Sequence, residues 1–384
     1  MTCVSTLSTA RDSETALGEA LERAAQDLAG QTADLALVFA SIHHADALGR
    51  LAREVRARGI SRHIVGCTGE SIVGEDREVE GAPALSLWAV RLPEATIEPV
   101  RLRYDGGFEG WTGTDKETVR SALLLLADPF TFPADRFLKS LSETAPGLPV
   151  AGGMASGAQT QGRNRFVLDD AVFDDGAVGV QLGGRVALRT IVSQGCRPIG
   201  KPYIVTKTEG NLIRELGRRP ALEALRELFE SLAPEEQALV QQGLHIGRVI
   251  NEYQETFRRG DFLVRNVLGA DEQGGIAITD VVRVGQTVQF HIRDADTADE
   301  DLRGLLDRER AERPDARRLG ALLFSCNGRG TRLFDAPNHD VSVLHESLGP
   351  IPVAGFFAMG ELGPVGGQNF VHGFTASIAL FEEP

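Results

Sequence analysis

Two polar side chains set among glycines near the C-terminal end have the type and surroundings to recognise a small molecule. Cys326-Asn-Gly-Arg-Gly330 breaks sharply from an apolar run, Gly320 to Ser325. Glycines on both sides of Arg329 let the amides of Gly328 and Gly330 point inward as an anion-binding nest. The guanidinium adds a two-pronged fork for a carboxylate or phosphate, with Asn327 beside it. The segment is not a P-loop, because the Gly-x-x-x-x-Gly-Lys-Ser/Thr pattern is absent. A tight turn carrying a solvated arginine would use the same residues. Downstream, Gly360-Glu361 opens a glycine-rich loop, and Glu361 would receive an ammonium group. Arg329 and Glu361 converging on a cleft between the two halves would suit a zwitterion such as an amino acid, or another small carboxylate. On that reading, Arg329→Ala abolishes binding and leaves the fold intact.

Other candidates are more dispersed. Cys67-Thr-Gly-Glu70 ends an earlier apolar run and Ser156-Gly157 another, while Gln194-Gly-Cys196-Arg197 places a cysteine and an arginine beside a turn. A cysteine nucleophile needs a nearby histidine and an orienting group. Cys326, Cys196 and His372 could fill those roles, but their spacing does not demand it. Buried inert thiols are the ordinary state of free cysteine, so an enzyme is not expected. His43, His44 and His372 are the histidines near sheet ends that could ligate haem. Covalent haem is excluded by the absence of Cys-x-x-Cys-His, whereas non-covalent haem b through one histidine stays open.

The elements that must position these residues form an α/β pattern of mixed sheets. Short apolar runs stopped by Gly or Pro read as buried strands. Asp34 to Ile42, Ala45 to Arg58, His63 to Cys67 and Ala84 to Leu92 read strand, helix, strand, strand. Ser121 to Ala127, Ala134 to Ala145, Leu148 to Gly152 and Gly176 to Leu182 repeat the order, and the C-terminal stretch is a third copy. Phe39 to Gly66, Leu126 to Gly152 and Phe324 to Gly355 span 27, 26 and 31 residues. Matching order and spacing imply a divergent internal repeat. Its pseudo-symmetry would bring Glu70, Ser156 and Glu361 to one end. The intervening segment reads as strands, a helical pair over 211–232 interrupted at Pro220, a short helix over 234–241, further strands, and a surface helix over 297–313. We expect residues 1–30 to be a helical lead-in capped by Ser13, and domains at 31–218 and 219–384 in two packed halves.

The chain of 384 residues is long enough to bury sizeable cores without disulfides or metals. Its net charge of −14 argues against nucleic acid and an anionic membrane surface as partners. Four widely spaced cysteines fit reduced thiols. With no signal peptide and no apolar run near the ~18 residues of a spanning helix, the expectation is a cytoplasmic protein.

Phe-Ser-Cys-Asn-Gly-Arg-Gly at 324–330, Gly-Phe-Phe-Ala-Met-Gly-Glu-Leu-Gly-Pro-Val-Gly-Gly at 355–367 and His372 to Phe381 resemble the C-terminal half of a FIST-domain protein. Gly260 to Asn266 and Gly285 to Asp294 fit the same pattern. Val65 to Glu70 and Gln194 to Gly200 extend it into the N-terminal half. The resemblance implies a sensory module for small ligands in signal transduction, with amino acids as proposed ligands. It also implies the alternative of a haem-binding nitric oxide sensor. No output domain is legible, so a signal would pass to a separate protein such as a kinase or cyclase.

Overall fold

The computed structural model describes residues 1–111, 120–254 and 256–383. The chain forms two compact units, Met1–Val192 with Leu302–Pro384, and Ser193–Asp301.

The first unit is built from the three expected copies. Copy one contains β1 (Thr2–Ser8), α1 (Ser13–Asp27), β2 (Ala33–Ser41), α2 (Leu48–Ala57), β3 (Ser61–Gly69), the hairpin β4 (Ile72–Gly74) and β5 (Arg77–Val79), and β6 (Leu85–Arg91). Copy two contains β7 (Ala95–Tyr104), β8 (Phe108–Glu109), β9 (Arg120–Ala127), α3 (Ala134–Thr144), β10 (Val150–Met154), the hairpin β11 (Phe166–Leu168) and β12 (Ala171–Phe173), and β13 (Ala177–Gly184), followed by β14 (Ala187–Ser193).

The second unit holds β15 (Arg197–Glu209), β16 (Leu212–Leu216), β17 (Arg219–Pro220), α4 (Ala221–Ser231), α5 (Pro234–Gln242), β18 (His245–Val249), β19 (Phe262–Ala270), β20 (Ile276–Ile278) and β21 (Thr287–Ile292). They form one sheet around an apolar core that includes Ile246, Phe290 and Leu228. The expected boundary near Arg218 falls inside this unit, in the turn between β16 and β17.

After α6 (Ala295–Glu312), copy three runs β22 (Arg318–Cys326), α7 (His339–Leu348), β23 (Val353–Ala358), the hairpin β24 (Glu361–Val365) and β25 (Gln368–His372), and β26 (Ala376–Glu382).

Each copy pairs its first and second strands in parallel (β2 with β3, β9 with β10, β22 with β23) and adds its last strand antiparallel to the first. The free edge of the second strand is then covered by another copy's hairpin. Copy two's β11 pairs with β3, copy three's β24 with β10, and copy one's β4 with β23.

Strand alternation divides the side chains of each sheet. Leu35, Leu37 and Phe39 of β2, Leu124 and Leu126 of β9, and Leu322 and Phe324 of β22 share one central core. The alternate residues meet the covering helices instead: Ala36 and Val38 under α1 and α2, Leu123 and Leu125 under α3, Leu323 under α6 and α7. Phe39, Phe324 and Phe356 meet in that core, with ring centroids 5.3 to 6.3 Å apart.

Several expectations need correction. Residues 1–30 are not a purely helical lead-in, because Thr2–Ser8 is an edge strand along β6. Its Thr and Ser content hid that pattern. The cap of α1 is Asp12, whose Oδ2 accepts the Thr15 amide at 2.9 Å. Ser13 instead bonds His44 at 2.8 Å. The first arm of the expected helical pair is β16, too short for a helix and bracketed by Gly210 and Gly217, which both take positive φ. The loop after each second strand is a hairpin whose strands are too short to show alternation.

The aligned glycines have a common cause. A Cβ on Gly66, Gly152 or Gly355 would lie 2.2, 1.9 or 1.8 Å from the carbonyl oxygen of Val38, Leu125 or Leu323 on the neighbouring first strand. Only glycine permits that approach. Gly355→Ala is expected to force β22 and β23 apart and destabilise the chain by ~3 kcal/mol or more, read as a lowered urea midpoint.

Candidate functional site

The parallel strands of the three copies end at the same place. Ser41, Asp128 and Cys326 are equivalent: each donates its backbone N–H to the carbonyl of the residue at the start of the last strand's segment, Ala84, Gly176 or Thr375, at 2.8 to 2.9 Å. The loops after the second strands then interlock. The Glu70 amide donates to Ser156 Oγ at 2.9 Å, and that hydroxyl donates to the Phe357 carbonyl. Met154 and Met359 tie copies two and three together through Met154 N to Gly360 O at 2.8 Å and Met359 N to Met154 O at 3.0 Å. Glu70, Ser156 and Gly360 therefore come together from three copies.

Arg329 is not a solvated turn residue. Its side chain is wholly buried, and its fork is closed on Asp340 at the start of α7: Nε to Oδ2 at 2.8 Å and Nη2 to Oδ1 at 2.7 Å. Ser325 Oγ donates to the same carboxylate at 2.7 Å, and the Phe334 ring lies 5.3 Å from the guanidinium carbon. Burial alone would raise the Asp340 carboxyl. The Arg329 charge and the hydrogen bonds outweigh it and hold that carboxyl well below the usual range. Arg329 Nη1 is buried without a hydrogen-bond partner.

The glycine turn is also used internally. The Gly328 amide meets Cys326 Sγ at 3.5 Å, and a Cβ on Gly330 would lie 2.7 Å from the Glu80 carboxyl. The Thr331 amide donates to Glu80 Oε1 at 2.9 Å. Arg332, three residues further on, was missed by sequence reasoning. It donates through Nη1 to the Asn327 carbonyl at 2.8 Å and through Nη2 to Glu70, and its side chain is 59% exposed. No pattern distinguished it from Arg329; only the turn decides which arginine goes in and which stays out.

Glu361 is wholly buried. Its Oε2 accepts the Thr375 amide at 3.0 Å and the Thr375 hydroxyl at 2.6 Å. It faces Gly153 in the register, where the equivalent hairpin residues of the other copies are Ile72 opposite Phe356 and Phe166 opposite Cys67, both in the central core. Copy three thus carries a carboxyl where the other two are apolar. Burial pushes it up to about 8, against the downward pull of Thr375, Cys326 and Arg329. Glu78 on β5 is likewise driven to about 8, by burial and then by Asp340; its Oε1 accepts the Val341 amide at 2.9 Å.

The remaining candidates lie elsewhere. Cys67 is buried in the central core, where burial pushes its thiol up. Arg197 belongs to the second unit and pairs there with Glu236 at 2.8 Å and Asp294 at 3.5 Å. His372 Nε2 bonds the Gly363 carbonyl at 2.9 Å, His44 is buried against Ser13, and His43 faces Ser41 Oγ at 3.3 Å. These histidines have separate local partners. Among the described residues no cluster of three His, Cys, Asp or Glu could hold a metal ion. No helix among them is long and apolar enough to cross a membrane.

Family models match most of the chain: the FIST N domain over residues 34–219 and the FIST C domain over residues 221–364. The chain belongs to the FIST family. FIST domains are sensory domains in signal transduction. An uncharacterized protein of Mycobacterium tuberculosis is similar to this FIST protein, 45% identical over 377 residues and 98% of both chains. An uncharacterized protein of Mycobacterium bovis is 44% identical over 375 residues and 97% of both. The boundary between the FIST N and FIST C matches falls at residue 220, inside the second compact unit, Ser193–Asp301.

Two predictions follow from the buried charges. Removing Arg329 leaves Asp340 buried and unpaired, so Arg329→Ala should cost ~3–5 kcal/mol rather than leave the fold untouched, measured by denaturant unfolding. Glu361 has a folded pKa above that of an unfolded carboxyl. Its stabilising contribution is therefore complete below about 4.5 and is lost as pH rises through about 8. Glu361→Gln should flatten the decline in unfolding free energy between pH 5 and 9.

Proposed function

We propose that this FIST protein is a cytosolic sensor that binds an amino acid or another small carboxylate on the rim where the three copies meet. The observation that carries this reading is the exposed Glu70–Arg332 pair, which joins copy one to copy three beside Asn327 and Ser156. The two opposite charges match the two ends of a zwitterion. Its carboxylate would take the Arg332 fork, and its ammonium would take Glu70. Both side chains are held by one another at the rim, so a ligand satisfies each as it parts them. Arg329, Asp340 and Glu361 lie beneath this rim as its support, and Gly328 and Gly330 let the backbone pack against Cys326 and Glu80.

We assign the chain no catalysis. Its output would go to a separate signalling protein, because ligand exchange at the rim changes how two copies are joined. A haem reading would use one of three histidines whose rings are already set against Ser41, Ser13 or the Gly363 carbonyl, and no observation favours it.

The test is a thermal-shift and calorimetric screen of amino acids and small carboxylates. A ligand at 100 times its Kd adds about 2.7 kcal/mol, which moves the transition by several degrees. Arg332→Ala should abolish the shift and leave the ligand-free transition nearly unchanged, since an exposed pair contributes only ~0–1 kcal/mol. A shift that survives Arg332→Ala, or a silent panel, overturns the assignment.

A further inference from the structure

The end of the central core in copy three gathers three groups that the binding reading does not use as chemistry. Cys326 is only partly buried, whereas Cys67 and Cys196 are buried. Its sulfur accepts the Gly328 amide at 3.5 Å and lies in the field of the Arg329 guanidinium. The buried Glu361 carboxyl interacts with the same thiol, and its Oε1 has no nitrogen or oxygen partner. Arg329 Nη1, also fully buried, is unpartnered as well. At the equivalent positions copy one has Ser41 with Ile72, and copy two has Asp128 with Phe166. Among the described residues, only copy three places a thiol, a guanidinium and a carboxyl together at this position.

We propose that Cys326 is a site of oxidation by a small hydroperoxide, with Arg329 stabilising the thiolate and Glu361 acting as the proton donor. The guanidinium and the Gly328 amide favour the thiolate, which is the nucleophilic form. The thiol proton goes to solvent. The sulfur lone pair attacks one peroxide oxygen, forming an S–O bond as the O–O bond breaks. The leaving hydroxide takes the Glu361 proton and departs as water; from an alkyl hydroperoxide the leaving alkoxide does so and departs as an alcohol. Sulfur is oxidised by two electrons to a sulfenic acid and the peroxide is reduced by two. Glu361 regains its proton from solvent.

The neighbouring acid is what selects a peroxide over other electrophiles. Hydroxide is a poor leaving group and needs a proton, whereas the iodide released by iodoacetamide does not. The carboxyl held neutral by burial up to about 8 is therefore suited to one of these reactions only. The inference shares the strand end with the proposed ligand rim but does not rest on it, since no residue of the Glu70–Arg332 pair takes part.

The experiment treats the full-length protein with hydrogen peroxide, traps sulfenic acid with dimedone, and reads each cysteine by peptide mass spectrometry. Parallel samples receive iodoacetamide. Cys3, Cys67 and Cys196 serve as internal references within the same molecule. Cys326 should be trapped at least about tenfold faster than any of them, the factor that one pKa unit of thiolate fraction supplies. Glu361→Gln, which keeps an acceptor for Thr375, should slow sulfenic acid formation roughly 100-fold and leave alkylation of Cys326 within about twofold. A thermal melt of the variant confirms that it is folded. Trapping at Cys326 no faster than at Cys3, or equal slowing of both reagents by Glu361→Gln, overturns the proposal. An amino-acid screen that fails while Cys326 responds as described removes the binding reading and leaves this one standing.

Discussion

The exchange of hairpins among the three copies constrains everything else in the first unit. A copy on its own ends in a second strand with one row of backbone N–H and C=O groups unpaired, and such an edge is a standing invitation to aggregate. Copy two covers that edge for copy one, copy three for copy two, and copy one for copy three. The cycle closes only when all three are present. Three sheets so linked must turn one face toward a shared core, where Phe39, Phe324 and Phe356 meet. They must also bring the ends of their parallel strands to one place. The meeting point of Glu70, Ser156 and Arg332 is thus a consequence of strand pairing, not of any attraction among those side chains.

A repeat built this way has no structural need for ionisable groups at its core, and copies one and two have an apolar residue at the hairpin position nearest it. Copy three departs from them with Glu361 and a buried Arg329–Asp340 pair, against which copy one sets the buried Glu78. A charge taken out of water is costly unless paired or neutralised. The protein uses both remedies: Asp340 stays ionised against Arg329, while Glu78 and Glu361 are driven toward their neutral forms by burial. Apolar replacements of similar volume would serve stability at least as well.

How much of this was legible in the sequence follows from the range of the interactions. The apolar runs stopped by glycine and proline showed the repeat, and the alignment of Gly66, Gly152 and Gly355 was legible because each sits where two backbones nearly touch. Convergence of the strand ends followed from the repeat. The hairpins were not legible, since segments as short as Ile72–Gly74 become strands only by pairing with another copy hundreds of residues away. Nor was the inward turn of Arg329. Cys326-Asn-Gly-Arg-Gly330 reads as an open nest, and its partner Asp340 begins a helix beyond a loop with no fixed spacing. Sequence locates the turn; the long-range packing of α7 decides which of Arg329 and Arg332 it buries.

The same two chain segments face each other throughout the site. Glu70 to Glu80 of copy one meets Asn327 to Val341 of copy three at Glu70–Arg332, at Glu80 with Thr331, and at Glu78 with Asn338 and Val341. The Glu70–Arg332 pair and the Glu80–Thr331 contact are open to water and inexpensive to break. The Glu78 contacts with Asn338 and Val341 lie deeper and hold the hairpin β4–β5 against α7. Parting Glu70 from Arg332 leaves the Glu78 contacts in place, so the two segments stay joined at their buried end.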